Sequence, residues 1–142
     1  MKNINDISRC AGMFRTERLK DSGLGPVHHS YILAVCRSPG LSQEQIAREI
    51  CINKSNVTRH LSLLEELGYV ERRPSEEDKR VTLVFPTQKA IDILPSVRAA
   101  IKEWRGYLTE GMDEEELLRF AETLSKIADR AREYYEKKDG TV

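Results

Sequence analysis

The chain has 142 residues, 39% apolar and 32% charged, enough apolar material for a packed core without a metal or disulfide staple. Its 23 basic and 23 acidic residues cancel, which excludes a uniformly basic nucleic-acid coat but not a local basic face. The longest apolar run, Tyr31–Cys36, is far short of a membrane span, no leader pattern opens the chain, and the three cysteines lack CxxC spacing; the expectation is a reducing, cytoplasmic setting.

Ile4, Ile7, Ala11 and Phe14 recur at helical spacing and predict a first helix that ends near Asp21–Gly25. Pro26 is expected in the first turn of a second helix, which runs through Tyr31–Cys36 until Ser38, Pro39 and Gly40 break it. Ser42 and Gln45 form a capping-box pattern opening a short third helix with Ile46, Ala47 and Ile50 inward. A turn at Ile52–Lys54 leads to a fourth helix, with Val57, Leu61 and Leu64 as its buried stripe and Gly68 as its stop. The period then changes to two. Tyr69–Arg73 and a stretch in which Val81, Leu83 and Phe85 alternate with Thr82 and Val84 predict a hairpin with a polar tip at Pro74–Lys79. Thr87 caps a long fifth helix carrying Ile91, Leu94, Val97, Ile101 and Trp104, with Pro95 as a bend. Gly111 breaks it, and Asp113 with Glu116 restarts a last helix whose apolar face is Leu117, Phe120, Leu124, Ile127 and Ala131.

Charge is unevenly placed along these elements. Met1–Phe85 carries a net +2 and the remainder −2, with an acid run at Asp113–Glu116. Between Ile50 and Leu64 there is no acid, while Lys54, Arg59 and His60 are present. Two short helices joined by a tight turn form a helix-turn-helix arrangement, whose second helix is sized for a major groove. Its early outward residues are Ser55, Asn56, Thr58, Arg59 and Ser62, groups able to read base edges and hold phosphates. A merely solvated helix face explains them equally well. The hairpin adds Asp78 and Arg80, two apart and able to share one face, so that a carboxylate can grip the guanidinium and aim it into a minor groove. Arg72, Arg73 and Lys79 would add phosphate contacts. The competing explanation is a charged turn screened by Glu71, Glu76 and Glu77.

Taken in order, these pieces resemble the MarR family of winged-helix transcription regulators. The resemblance rests on Ser38-Pro-Gly-Leu-Ser-Gln-Glu-Gln-Ile-Ala, on the Asn53–Arg72 segment, and on Asp78-Lys-Arg-Val, which matches the family's Asp-x-Arg wing motif. It is most specific from Ser38 to Val84. Ala90 departs from the family's usual Gly. The fold implied is mainly α with a small β-hairpin wing: a winged helix-turn-helix with N- and C-terminal dimerisation helices. On that basis residues 1–142 form one domain, with the winged-helix part at about 26–86 and dimerisation helices at about 3–20 and 87–138.

What the resemblance implies is a homodimeric, ligand-responsive repressor on a palindromic operator, with no cofactor. Its DNA-contact set would be Ser42, Gln43, Lys54, Ser55, Asn56, Thr58, Arg59, Arg73, Asp78, Lys79 and Arg80. Independently, Ile4, Ile7, Phe14, Trp104, Leu108, Phe120, Leu124 and Tyr134 exceed what one small winged helix covers, which favours a joint core over a monomer with its helices folded back. Family members are commonly switched by small phenolic or aromatic anions. Arg15 and Arg18 with His28, His29 and Tyr31 could line such a cleft, although each fits an ordinary surface or helix role. Cys10 fits either peroxide sensing or small core filler. No spacing among His28, His29, His60 and Cys36 matches a zinc site, and no Gly-rich phosphate loop or HExxH motif suggests an enzyme. A winged helix serving protein–protein contact remains the other class of function, though it would favour acids on the recognition face.

Overall fold

Side chains repeating at helical spacing give six α-helices among the described residues, and the change to alternation gives a hairpin between the fourth and fifth. A computed structural model describes residues 1–138. It runs α1 (Lys2–Arg18), a 3-10 turn (Lys20–Ser22), α2 (His28–Arg37), β1 (Leu41–Ser42), α3 (Gln43–Glu49), α4 (Lys54–Glu66), β2 (Val70–Pro74), β3 (Thr82–Pro86), α5 (Gln88–Leu108) and α6 (Glu114–Lys138). Two compact units are present, Met1–Trp104 and the segment from Arg105 onward, so that α5 crosses the boundary.

In the first unit the core is made by Tyr31, Ile32 and Val35 of α2, Ile46 of α3, and Val57, Leu61 and Leu64 of α4. Tyr69, Val70, Val84, Ala90 and Val97 close it from the sheet and α5, and every one of these residues is at most 1% exposed. Each large apolar side chain buried this way contributes about 1.5–3 kcal/mol before entropy is counted. This burial fixes α3 and α4 against one another and leaves their opposite faces to solvent.

Several expectations are corrected. The sheet has three strands in the order β1-β3-β2, with Leu41 opposite Val84 and Arg72 opposite Val84 on its other side. β1 is only two residues long, too short for alternation to reveal. On β3 the core residue is Val84, whereas Leu83 and Phe85 are half-buried on the other face. Pro26 lies in a turn ahead of α2, which begins at His28. α1 ends at Arg18, before the expected Asp21–Gly25 region, where a 3-10 turn follows. Pro95 lies within α5, as expected. Gly40 is required where β1 begins: its φ is +87°, and a Cβ there would come within 3.2 Å of the Phe85 ring.

Within the second unit, Asp113 and Glu116 start α6 as expected, and they do so by capping each other. Glu116 N donates to Asp113 Oδ1 at 2.8 Å, and Asp113 N donates to Glu116 Oε2 at 3.2 Å. None of the described α6 side chains is buried; Leu118, Phe120 and Tyr134 are 60%, 53% and 65% exposed. Among the described residues no helix is long and apolar enough to cross a membrane.

Candidate nucleic-acid interface

Asn53 starts α4. Its Oδ1 accepts from Ser55 N at 3.0 Å and from Ser55 Oγ at 2.8 Å, so the Ser55 hydroxyl is already engaged in the cap. Ser42 does the same for α3, its Oγ accepting from Gln45 N at 3.1 Å while Gln45 Oε1 accepts from Ser42 N at 2.7 Å. Gln43 is half-buried, with Oε1 lacking a hydrogen-bond partner among the described residues. Lys54 donates to Glu44 of α3 at 2.8 Å, and Arg48 joins the same carboxylate at 3.3 Å. That hydrogen bond from Lys54, followed by the two positive charges, holds the Glu44 carboxyl below its ordinary range. The early cation of α4 is therefore a strut between helices as well as a charge. Asn56, Thr58 and Arg59 stand exposed beyond it, with Thr58 Oγ1 donating to Lys54 O at 3.4 Å.

Asp78 and Arg80 meet as the sequence suggested, but on the tip turn rather than on a strand. Arg80 Nε donates to Asp78 Oδ1 at 3.0 Å and Nη2 to Oδ2 at 2.9 Å, while the Arg80 amide also donates to Oδ1 at 3.0 Å. Val81 N donates to Asp78 O at 2.9 Å and closes the turn. The Arg80 hydrogen bonds hold the Asp78 carboxyl below its ordinary range, so the grip persists through neutral pH. The Arg80 side chain is nonetheless 90% exposed. A fork held at its root and open along its length is a presented cation. Lys79 is exposed beside it, and Arg73 pairs with Glu71 and lies over the Phe85 ring at 5.1 Å.

Arg72, expected at a phosphate, has a partner within the chain. It is half-buried and clamps Glu65 of α4: Nε and Nη2 donate to Oε2 at 3.0 and 2.6 Å, and its amide donates to Oε1 at 3.0 Å. The side-chain hydrogen bond from Arg72 keeps the Glu65 carboxyl below its ordinary range. Lys89 of α5 likewise donates to Leu67 O at 2.7 Å while lying 4.5 Å from the Tyr69 ring centre. The Tyr69 hydroxyl donates to Ser22 O at 2.8 Å. These braces between α4, the wing root and α5 were missed. Opposite charges seven residues apart were visible, but nothing in a linear reading pairs them across the Gly68 turn.

The five effector candidates fall in separate places. Arg18 pairs with Glu103, lies over the Phe14 ring at 5.1 Å, and lines a cleft of about 360 Å³ with Tyr69, Lys89 and Asp92. His28 instead faces a cleft of about 570 Å³ with Arg59, His60 and Leu63. Arg15 and His29 converge on one carbonyl: Pro26 O accepts from Arg15 Nη2 at 3.5 Å and from His29 Nδ1 at 3.1 Å. Burial, then the Arg15 charge, pushes His29 down to about 4. Tyr31 is wholly inside the core, and burial pushes its phenol up to about 12. Cys10 is exposed rather than core filler, and neighbouring Arg9 is paired with Asp6. Among the described residues no three potential ligands are grouped to hold a metal.

Comparison with known proteins agrees with this layout. The family model described as MarR family matches residues 22–81, the stretch that holds the helix pair and most of the wing. An uncharacterised helix-turn-helix regulator of Bacillus subtilis, YybA, is 26% identical over 137 residues, covering 96% of this chain and 89% of its own. The crystal structure of the regulator SlyA superposes with a TM-score of 0.91 at 24% identity, covering 95% of each chain. A MarR family regulator of Listeria monocytogenes, solved with a 26-mer DNA, superposes with a TM-score of 0.88 at 20% identity, covering 99% of this chain and 95% of its own. The MarR family model thus covers the α3–α4 pair and the Asp78–Arg80 tip, and over nearly its whole length the chain has the winged helix-turn-helix fold of these solved structures.

Proposed function

We propose that the protein is a homodimeric repressor of a palindromic operator, released by a small aromatic or phenolic anion. The observation that carries DNA binding is the pairing of two open polar features. One is the exposed start of α4 with Asn56, Thr58 and Arg59, where the stretch between Ile50 and Leu64 holds no acid, and the other is Arg80, held by Asp78 yet 90% exposed. Dimerisation is supported by exposed apolar side chains on each unit: Ile4 and Ile7 on α1, and Phe120, Leu124 and Ile127 on α6, are all at least 38% exposed. The winged-helix part at 26–86 would then be carried by helices at 3–20 and 87–138. Two α4 helices about 34–36 Å apart would enter successive major grooves of one duplex. For the effector, the support is Arg15, whose partly buried Nε has no hydrogen-bond partner among the described residues, beside half-buried His29.

The test is selection of duplexes from a random library, followed by gel shifts at moderate salt with and without a panel of aromatic acids. Asn56→Ala or Arg59→Ala should change which duplex is preferred, by about 1–3 kcal/mol for each base edge no longer read. A wild-type protein that binds a scrambled duplex as tightly as the selected one would overturn the reading.

A further inference from the structure

Arg59 and Thr58 can read DNA only if α4 is held at a fixed rotation on the body, and the residue after Arg59 is bonded to α2. Gly25 N donates to His28 Nδ1 at 2.9 Å, so that nitrogen is the acceptor and the ring hydrogen sits on Nε2. His28 Nε2 then donates to His60 Nδ1 at 3.1 Å, which leaves the His60 hydrogen on its own Nε2. The rings are edge-on, with centroids 5.2 Å apart, and both contact Tyr31, whose hydroxyl is buried without a hydrogen-bond partner among the described residues. His28 is only 4% exposed.

We propose that His28 and His60 are positioning residues for DNA recognition: their hydrogen bond fixes α4 against α2, and it holds only while both rings are neutral. Every link in the chain from Gly25 N–H through His28 to His60 points the same way. A proton added at either Nδ1 meets an N–H already directed at it, so each added proton breaks a link. The surroundings do not favour the charged form. Arg59 and Glu66 of α4 line the cleft with both rings, half-buried His29 follows on α2, and Arg15 of α1 acts on His29. Burial, with the opposing influence of His60 on His28 and of Arg59 on His60, holds both imidazoles below the ordinary histidine value of 6.5. The sign follows from that direction. The neutral pair contributes fully above pH 6.5, and its contribution is lost as pH falls through the lowered values.

The inference rests on the DNA-binding reading above, and the experiment separates the two. The readout is the ratio of affinities for the selected and a scrambled duplex, because added protons also tighten non-specific binding through charge. The wild-type ratio should fall by about tenfold once pH has dropped from about 7.5 through the lowered transitions of both rings, the equivalent of one buried hydrogen bond at about 1.4 kcal/mol. His60→Ala should show the reduced ratio already at neutral pH. His60→Asn, which keeps an acceptor where Nδ1 stands but cannot titrate, should restore the neutral-pH ratio and flatten the profile. A flat wild-type profile, a His60→Ala ratio like the wild type's, or a His60→Asn profile as steep as the wild type's would overturn the inference. Absence of any selected duplex would remove the DNA-binding reading itself and the inference with it.

Discussion

The root and the tip of the wing use the same carboxylate–guanidinium fork for opposite ends. At the root, Arg72 is gripped by Glu65 with its side chain 23% exposed, and the pair ties β2 to α4. At the tip, Arg80 is gripped by Asp78 with its side chain 90% exposed, and the pair ties nothing but the turn itself. Around the root lie Val70 and Val84 in the core, the Tyr69–Ser22 hydrogen bond, and Thr87, whose hydroxyl donates to Gly68 O at 2.7 Å. The tip has no such surroundings. Burial therefore decides which fork serves folding and which is left free for a ligand, although the residue types are the same.

The sharpest way to break this division is at the root. Val84→Ala removes two methyl groups from a site with no exposure and should lower stability by about 2 kcal/mol, read by urea unfolding. DNA affinity per folded molecule should be unchanged. If affinity collapsed at full folding, the root would be shaping the contact surface directly. The converse substitution is Arg80→Ala, for which the unfolding midpoint should stay put while the slope of log affinity against log salt falls by roughly one. Asp78→Ala keeps the cation but frees it, so discrimination between duplexes should weaken without loss of the salt slope.

Glu65→Gln tests the root fork itself. It keeps the shape but removes the charge facing Arg72, and partial exposure limits the expected loss to about 1 kcal/mol at neutral pH. Because the Glu65 carboxyl is held below its ordinary value of 4.5, its contribution is present above that pH and lost as pH falls through the lowered value. The gap between wild type and variant in urea titrations should close accordingly in acid. A gap that is constant with pH would mean that packing, not charge, holds the root.

The sequence made the helices and their buried stripes readable because each stripe repeats within one element; Val57, Leu61 and Leu64 are all fully buried as expected. The Asp78–Arg80 pair was readable for the same reason, being local. The Arg72–Glu65 fork is not legible in the same way, because a count of charges along the chain does not reveal a partner across a turn. The His28–His60 contact spans 32 residues and leaves no periodic trace. β1 has too few residues to alternate, and it shows itself only through its pairing with β3 at Leu41–Val84 and Ser42–Leu83. On β3 itself, alternation was clear but its phase was not, since both faces carry apolar side chains.

The smallest expected effect concerns the turn between α3 and α4. Both helices of the helix-turn-helix pair end in the same way. After α4, Tyr69 N donates to Leu64 O at 2.8 Å and Gly68 N to Glu65 O at 2.9 Å, with Gly68 at φ +77°. After α3, Ile52 N donates to Ala47 O at 3.0 Å and Cys51 N to Arg48 O at 3.3 Å, with Cys51 at φ +54°. This left-handed closing residue suits glycine, and a side chain there costs about 1 kcal/mol or more. Glycine returns about half of that through the greater freedom of the unfolded chain, so Cys51→Gly should raise stability by about 0.5 kcal/mol. Cys51→Ala keeps the strained backbone and removes only the exposed thiol, whose sulfur lies 3.7 Å from Arg48 O. It should therefore give no gain in the same urea titration. Equal gains from both substitutions would show that the thiol, and not the left-handed backbone, is what costs stability at this turn.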